Sequence, residues 1–225
     1  MTIAYFDCSS GVSGDMCLGA LVDAGVPLKD IEKGLRHLGI RGYELRARKV
    51  KRAGIAATKV DVVIKRSGAG DRKSGTKTWK DINDLINKSS LPSSIRQRGL
   101  RIFRRLFEAE GKVHGEPYNK THLHELGAAD CLADIFGTLI GLDLLSVDKV
   151  CSSPLNLGSG FVQTEHGRLP VPAPATAEIL KGVPVYCSAI PFELTIPTGA
   201  ALIRELADNF ATLPVMRIIR VCYGA

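Results

Sequence analysis

The stretch YFDCSSGVSGDMCLGAL, residues 5–21, begins apolar, meets an acid at Asp7 and breaks into serines and glycines. A second acid, Asp15, then opens a helical-looking run. That order reads as a strand over 2–7, a Ser/Gly loop, and a helix over 14–24 entered from the loop. A helix N-terminus leaves backbone N–H groups without intrahelical partners, and its dipole favours an anion. Ser9, Ser10, Gly11, Ser13 and Gly14 therefore form a candidate seat for a phosphate. It is not a Walker A loop, because no GK[ST] follows. Asp7 and Asp15 would repel a bare phosphate but suit one bridged by a metal ion. The same pattern also suits a plain turn in which Ser13 or Asp15 caps the helix.

Working outward, VPLKDIEKGLRHLG (26–39) reads as a second helix, with Pro27 near its start and Gly39 past its end. YELRARKV (43–50) and ATKVDVVIKR (57–66) flank Arg52-Ala53-Gly54, and Val60, Val62 and Ile64 alternate with polar residues. These predict an antiparallel hairpin with one wet face. Residues 67–76 read as a loop and WKDINDLINKS (79–89) as a short helix. A longer helix runs from Pro92-Ser93 to about Gly111, with Ile95, Leu100, Ile102, Phe103, Leu106 and Phe107 as its core face. Residues 122–145 are mostly helical, 147–164 strand and turn, and 169–182 a proline-punctuated lead into a short helix. YCSAIPFEL (186–194) is expected to be extended, the run from Thr195 to Phe210 to hold the last helix, and VMRIIRVCYG (215–224) to be a final strand. The expected fold is α+β: a mixed or antiparallel sheet with several helices, in one large domain over 1–225.

The totals fit that size of core: 225 residues, 45% hydrophobic. No run approaches a membrane span, and no basic-then-apolar leader opens the chain, so the expected location is the cytosol (cytoplasmic), with no membrane partner. Six scattered cysteines without a CxxC pair argue against a zinc ribbon or a disulfide framework. The formal charge of +7 is concentrated in stretches such as RARKVKR (46–52) and RQRGLRIFRR (96–105). A basic surface attracts anions, but a solvated face has the same composition. No aromatics interleave as a single-strand platform wants, so nucleic acid is not the expected partner.

A second constellation is THLHELGAADCLAD, residues 121–134. In an extended segment His122 and His124 point to one face, and Glu125 follows directly. Asp130 and Asp134 are one helical turn apart and share a face, which Gly137, Thr138 and Gly141 continue. Leu132, Ile135, Phe136 and Leu139 lie opposite and should be core. Imidazole and carboxylate together suit Zn, Ni, Fe or Mn. His166, in a turn-like TEHGRLPVP, is a third ligand, an acid/base or a turn residue. Thr195, Thr198 and Gly199 place hydroxyls and a glycine at another helix start, a second candidate anion seat. Cys8 lies near a helix N-terminus, which can lower a thiol pKa, but more simply is a buried thiol.

Taken together, DCSSGVSGDMCLGAL (7–21), HLHELGAADCLADI (122–135), PLNLGSGFVQTEHGRLPVPAPATAEILKGVPVY (154–186) and ELTIPTGAALI (193–203) closely resemble the nickel insertion protein family of lactate racemase maturation. The resemblance runs from residue 3 to the end. It implies a nickel chelatase of the lyase class. Such a protein places Ni(II) into pyridinium-3,5-bisthiocarboxylate mononucleotide, forms the pincer cofactor and consumes CTP. It implies a phosphorylated mononucleotide substrate and a lactate racemase-like apoenzyme as recipient.

Two departures stand out. Family members often carry a histidine-rich loop before the helix at Trp79, whereas SGAGDRKSGTKTWKD (67–81) has no histidine. They also continue into a C-terminal domain, to which CTP binding with Mg or Mn is attributed, so this chain resembles the N-terminal part and that second part is an expected partner. The expected roles are then Asp15 and Glu125 as catalytic carboxylates, and His122, His124, Glu125, Asp130 and His166 as metal ligands. The two hydroxyl-rich turns would hold phosphate. A non-catalytic metal or nucleotide carrier acting with a partner is the alternative, and a homo-oligomer is compatible with either.

Overall fold

The computed structural model describes residues 1–40, 42–64, 78–123, 128–164 and 166–225. The opening folds as its pattern dictates. Strand β1 (Ile3–Phe6) leads through the Ser/Gly loop into helix α1 (Gly14–Asp23). Ser13 caps that helix: its backbone is extended and its hydroxyl accepts from the Met16 N–H. Gly11 turns the loop at φ +84°, a left-handed conformation that glycine adopts without steric penalty. Helix α2 (Leu28–Arg36) starts after Pro27 and buries Ile31 and Leu35.

The hairpin follows. Strands β2 (Tyr43–Arg52) and β3 (Ile55–Ile64) pair antiparallel from Tyr43↔Ile64 to Arg52↔Ile55. Ala53 and Gly54 close it, both at positive φ (45° and 84°), which is the geometry of a primed two-residue turn. Helix α3 (Trp79–Lys88) carries a reciprocal capping box between Thr78 and Asp81. Helix α4 (Ser93–His114) ends at a left-handed Gly115 and buries five of the six expected core positions, Leu100 being only partly covered.

Helix α5 (Ala128–Leu144) and strand β4 (Lys149–Ser152) come next, then β5 (Leu155–Asn156), β6 (Phe161–Thr164) and β7 (Gly167–Pro170). Helix α6 (Pro174–Ile179), β8 (Val185–Tyr186), α7 (Pro197–Leu206) and β9 (Asn209–Phe210) complete the order. β4 pairs parallel with both β1 and β9, β5 with β8 in parallel, and β6 with β7 in antiparallel. The fold is α+β, as the sequence implied, with a short parallel sheet beside antiparallel hairpins.

The core lies between the long helices. Phe103 and Phe136 stack at 6.2 Å, with Gly99 against the outer end of the Phe136 ring, where a Cβ would collide with it. Leu132, Ile135, Phe136 and Leu139 are buried as expected. The small-residue stripe of α5 has a structural occupant: a Cβ at Gly137 would lie 2.9 Å from a Leu18 methyl, and one at Gly141 would lie 2.9 Å from a Leu21 methyl. That stripe therefore admits α1 to close packing.

Two expectations fail. Residues 215–224 do not form a strand; their pairing is one isolated bridge from Gly224 to Thr58. β-branched residues favour extended backbone, but a strand also needs a partner along its length, and Val215, Ile218, Ile219 and Val221 lie exposed. Likewise the extended run 186–194 shrinks to the two-residue β8, which begins at Val185. The basic stretches carry many carboxylate partners, among them Arg48–Asp61, Lys49–Asp23 and Arg101–Glu205.

Ala53 holds a conformation that asparagine tolerates better. Ala53→Asn should stabilise the chain by about 0.5–1 kcal/mol in urea unfolding; a lower midpoint would contradict the primed-turn geometry.

Candidate functional site

Two of the stretches singled out in sequence meet in space. The Val12 N–H donates to the Leu194 carbonyl (2.9 Å), the Ile196 N–H donates to the Val12 carbonyl (3.1 Å), and Val12 bridges Thr195 in parallel. A Cβ at Gly11 would collide with the Leu194 carbonyl, and one at Gly199 with the Val12 carbonyl. The starts of α1 and α7 are thus locked side by side.

Asn156, which sequence reading missed, ties the junction. Its Nδ2 donates to the Ser9 carbonyl (2.8 Å), and its own carbonyl accepts from the buried Thr195 hydroxyl (2.7 Å). Thr195 and Gly199 therefore hold the junction together, and Thr198 is buried beside them. Ser9 and Ser10 are exposed, and the Ser9 N–H donates to Asp7 Oδ1 (3.0 Å).

Below this junction lies a group of acids. Gly14 sits against Asp134 of α5, where a Cβ would be 2.7 Å from Asp134 Oδ2. Asp15 accepts from the Ser13 hydroxyl, from the Met16 N–H (3.0 Å) and from Lys59 Nζ of β3 (2.9 Å). Burial pushes the Asp15 carboxyl up, but Ser13, Lys59 and Met16 together outweigh it and hold the group below its ordinary value. Asp134 behaves oppositely. Burial, then the charges of Asp15 and Asp130, push it up to about 8, with Lys59 as the opposing influence. Its Oδ1 is buried without a hydrogen-bond partner among the described residues. Desolvation also raises Asp130. Two neighbouring carboxyls thus sit in opposite protonation states at neutral pH, a pattern typical of functional sites.

The thiols around this group stay neutral. Burial raises Cys17 and Cys131 well above the ordinary thiol range, and pushes Cys8 up to about 11. Cys8 is accordingly the buried thiol that the sequence allowed, and no cysteine is in a disulfide.

His122 and His166, the described histidines of the expected set, have other neighbours. His122 is exposed in an extended stretch that bridges Thr78. His124 and Glu125 lie outside the described residues. The His166 ring packs on His114 at the end of α4, with centroids 4.8 Å apart, and His114 faces Glu110 at 3.6 Å. His114 was not singled out in sequence; a lone histidine at a helix end carries no signal there. Among the described residues no group of three or more His, Cys, Asp or Glu side chains is arranged to hold a metal ion. No helix of the described residues is long and apolar enough to cross a membrane.

A family model described as nickel insertion protein matches residues 4–225. The chain belongs to the nickel insertion protein family. Curated relatives agree. The pyridinium-3,5-bisthiocarboxylic acid mononucleotide nickel insertion protein of Geobacillus kaustophilus is 46% identical over 229 residues, covering 100% of this chain and 56% of the relative. The proteins of the same name from Desulfitobacterium hafniense and Thermotoga petrophila are 44% and 46% identical, covering 54% and 56% of their own lengths. The chain thus spans a little over half the length of these relatives. No solved structure matches it significantly. In this family member the acids of α1 and α5 and the lysine of β3 form the most strongly perturbed charged cluster described.

That cluster makes a stability prediction. Asp134 keeps its proton to about pH 8 when folded but titrates near the ordinary carboxyl value, about 3.9, when unfolded. Between those values folding takes up a proton, so this residue lowers stability progressively as pH rises from about 4 to about 8. Asp134→Asn should therefore raise Tm at pH 8, by roughly 2–4 °C per kcal/mol recovered, and the gain should shrink toward pH 4. A pH-independent Tm difference in calorimetry would contradict the buried, protonated carboxyl.

Proposed function

We propose that this chain is the N-terminal part of a nickel chelatase that inserts Ni(II) into pyridinium-3,5-bisthiocarboxylic acid mononucleotide. Family membership and the names of the relatives support the class of reaction. The observation that carries the site is the meeting of Asp15 and Asp134 across the α1–α5 contact, with a buried, unpartnered Asp134 oxygen beside an ionised Asp15.

In this reading nickel is cargo. The hard carboxylates of Asp15 and Asp134 collect the cation, with Asp130 one turn away on α5, and Lys59 keeps Asp15 ionised while the site is empty. Sulfur and carbon donors of the mononucleotide hold nickel far more firmly than carboxylates, so transfer runs toward the substrate. The substrate phosphate is placed at the paired starts of α1 and α7, where Ser9, Ser10, Ser13, Gly14 and Thr198 surround two positive helix-dipole ends. Holding anion and cation side by side brings the reacting atoms together and lowers the entropic barrier to insertion. His122, His124 and Glu125 are assigned to metal relay, with Glu125 and Asp15 as the proton-accepting carboxylates; His166 lends a further imidazole. CTP, with Mg or Mn, is assigned to the part of the longer relatives that this chain does not cover, and a lactate racemase-like apoenzyme to the receiving end.

A carrier that presents nickel to a partner is the second reading. It is favoured by the coverage of little more than half of the relatives' length, which leaves any CTP-dependent step to the remaining portion. Nickel transfer by the full-length protein that stops without CTP would exclude it.

Titration calorimetry with Ni(II) tests the site. The Asp15→Asn/Asp134→Asn double variant should lose binding, and His122→Ala/His124→Ala should bind at least about tenfold more weakly. Unchanged affinity in the first would remove the acids from the site, and in the second the histidines.

A further inference from the structure

The stretch 213–223 is the most exposed apolar run of the described chain. Leu213, Val215, Ile218, Ile219, Val221 and Tyr223 are 49%, 108%, 57%, 87%, 62% and 47% exposed. Arg217 and Arg220 are exposed among them. Single exposed apolar residues are ordinary, but six in eleven successive positions are a concentration of the kind that marks a contact with another protein unit.

The far end of this run is held in a fixed place. The Tyr223 carbonyl accepts from the Thr58 N–H (2.9 Å), the Ala225 N–H donates to the Thr58 carbonyl (3.1 Å), and the Tyr223 N–H donates to Asp23 Oδ2 (3.0 Å). Gly224 lies so close to α1 that a Cβ there would strike the Met16 carbonyl. Asp23 also accepts from the Thr58 hydroxyl (2.6 Å) and pairs with Lys49, so α1, β2, β3 and this end form one knot. The knot adjoins the acidic cluster directly: Met16 follows Asp15, and Thr58 precedes Lys59.

We propose that residues 213–223 are the docking surface for the portion of the longer relatives that this chain does not cover. The anchored end of that surface, Tyr223 to Ala225, adjoins the helix and strand that carry Asp15 and Lys59. The occupant is argued from two facts. The relatives that match the whole chain are covered over only 54–56% of their own length, so they possess a large further portion. The densest run of uncovered apolar side chains is the one whose end is anchored next to the acidic cluster, although others, such as Phe161 and Phe192, lie exposed elsewhere. Interspersed Arg217 and Arg220 call for an apolar partner face with acidic residues at its rim. This inference rests on the proposed two-part arrangement of the protein, and it adds the place of contact.

Hydroxyl-radical footprinting tests it. The side chains at 213–223 should be modified rapidly in this chain, and the aligned side chains of the full-length Geobacillus kaustophilus relative should be protected several-fold. Ile218→Asp/Ile219→Asp should leave the Tm of this chain unchanged, because both side chains are exposed. The same change at the aligned positions of the full-length relative should lower its Tm and restore rapid modification. Equal modification in both proteins would overturn the proposal. So would sedimentation showing that this chain forms a dimer that Ile219→Asp abolishes, because a second copy would then be the occupant. Neither result bears on nickel binding by the Asp15/Asp134 variants, so failure here and failure of the chelatase reading are separate outcomes.

Discussion

The close contact between α1 and its neighbours is the constraint on which the rest of the molecule depends. Gly14 admits Asp134, while Gly137 and Gly141 admit Leu18 and Leu21. On the opposite side Gly19 lies against the Thr58 carbonyl of β3. A larger residue at Gly19 would strike backbone and push β3 away, and one at Gly14, Gly137 or Gly141 would force the facing side chain to shift. The consequence is electrostatic as much as steric. Two helices brought this near place the partly exposed Asp15 carboxyl beside the more deeply covered Asp134 carboxyl, whose charge is opposed by burial and by Asp15. Lys59 stabilises one of them, and the other keeps its proton.

The same contact relates the acidic cluster to the loop junction above it. Ser13 caps α1, accepts from Met16 and donates to Asp15, so one side chain touches both the helix start and the acid. Val12 is bonded on both sides to the 194–196 backbone. The acidic group therefore sits at the very start of α1, where Asp15 is the second helical residue and Asp134 abuts the first, beside the start of α7. In the proposed reading, this meeting of helix starts and carboxyls is where a phosphorylated ligand and a metal would be held side by side.

Much of this was legible in the sequence because it is local. The strand–loop–helix opening, the Arg52-Ala53-Gly54 hairpin, the core face of α4 and the shared face of Asp130 and Asp134 follow from periodicity and turn chemistry within a few residues. What was not legible is long-range. Lys59 reads as one polar position on an alternating strand, and nothing near it announces Asp15, forty-four residues earlier. Asn156 reads as a polar residue in a turn, yet it links Ser9 to Thr195. His166 was noticed, but its neighbour His114 was not, because the two meet only when the β6–β7 hairpin packs on the end of α4. The run 215–224 misled for the opposite reason: its residues prefer extended backbone, but strand pairing depends on a neighbour that the fold does not supply.

The central claim is that the carboxyls of α1 and α5 form the resting place of the metal cargo. Anomalous diffraction at the nickel edge, from crystals of the chain soaked in Ni(II), tests it most directly. The account predicts a peak between Asp15 and Asp134, with carboxylate oxygen as donor from both helices. A peak at His114 and His166, with no density between the two acids, would contradict it.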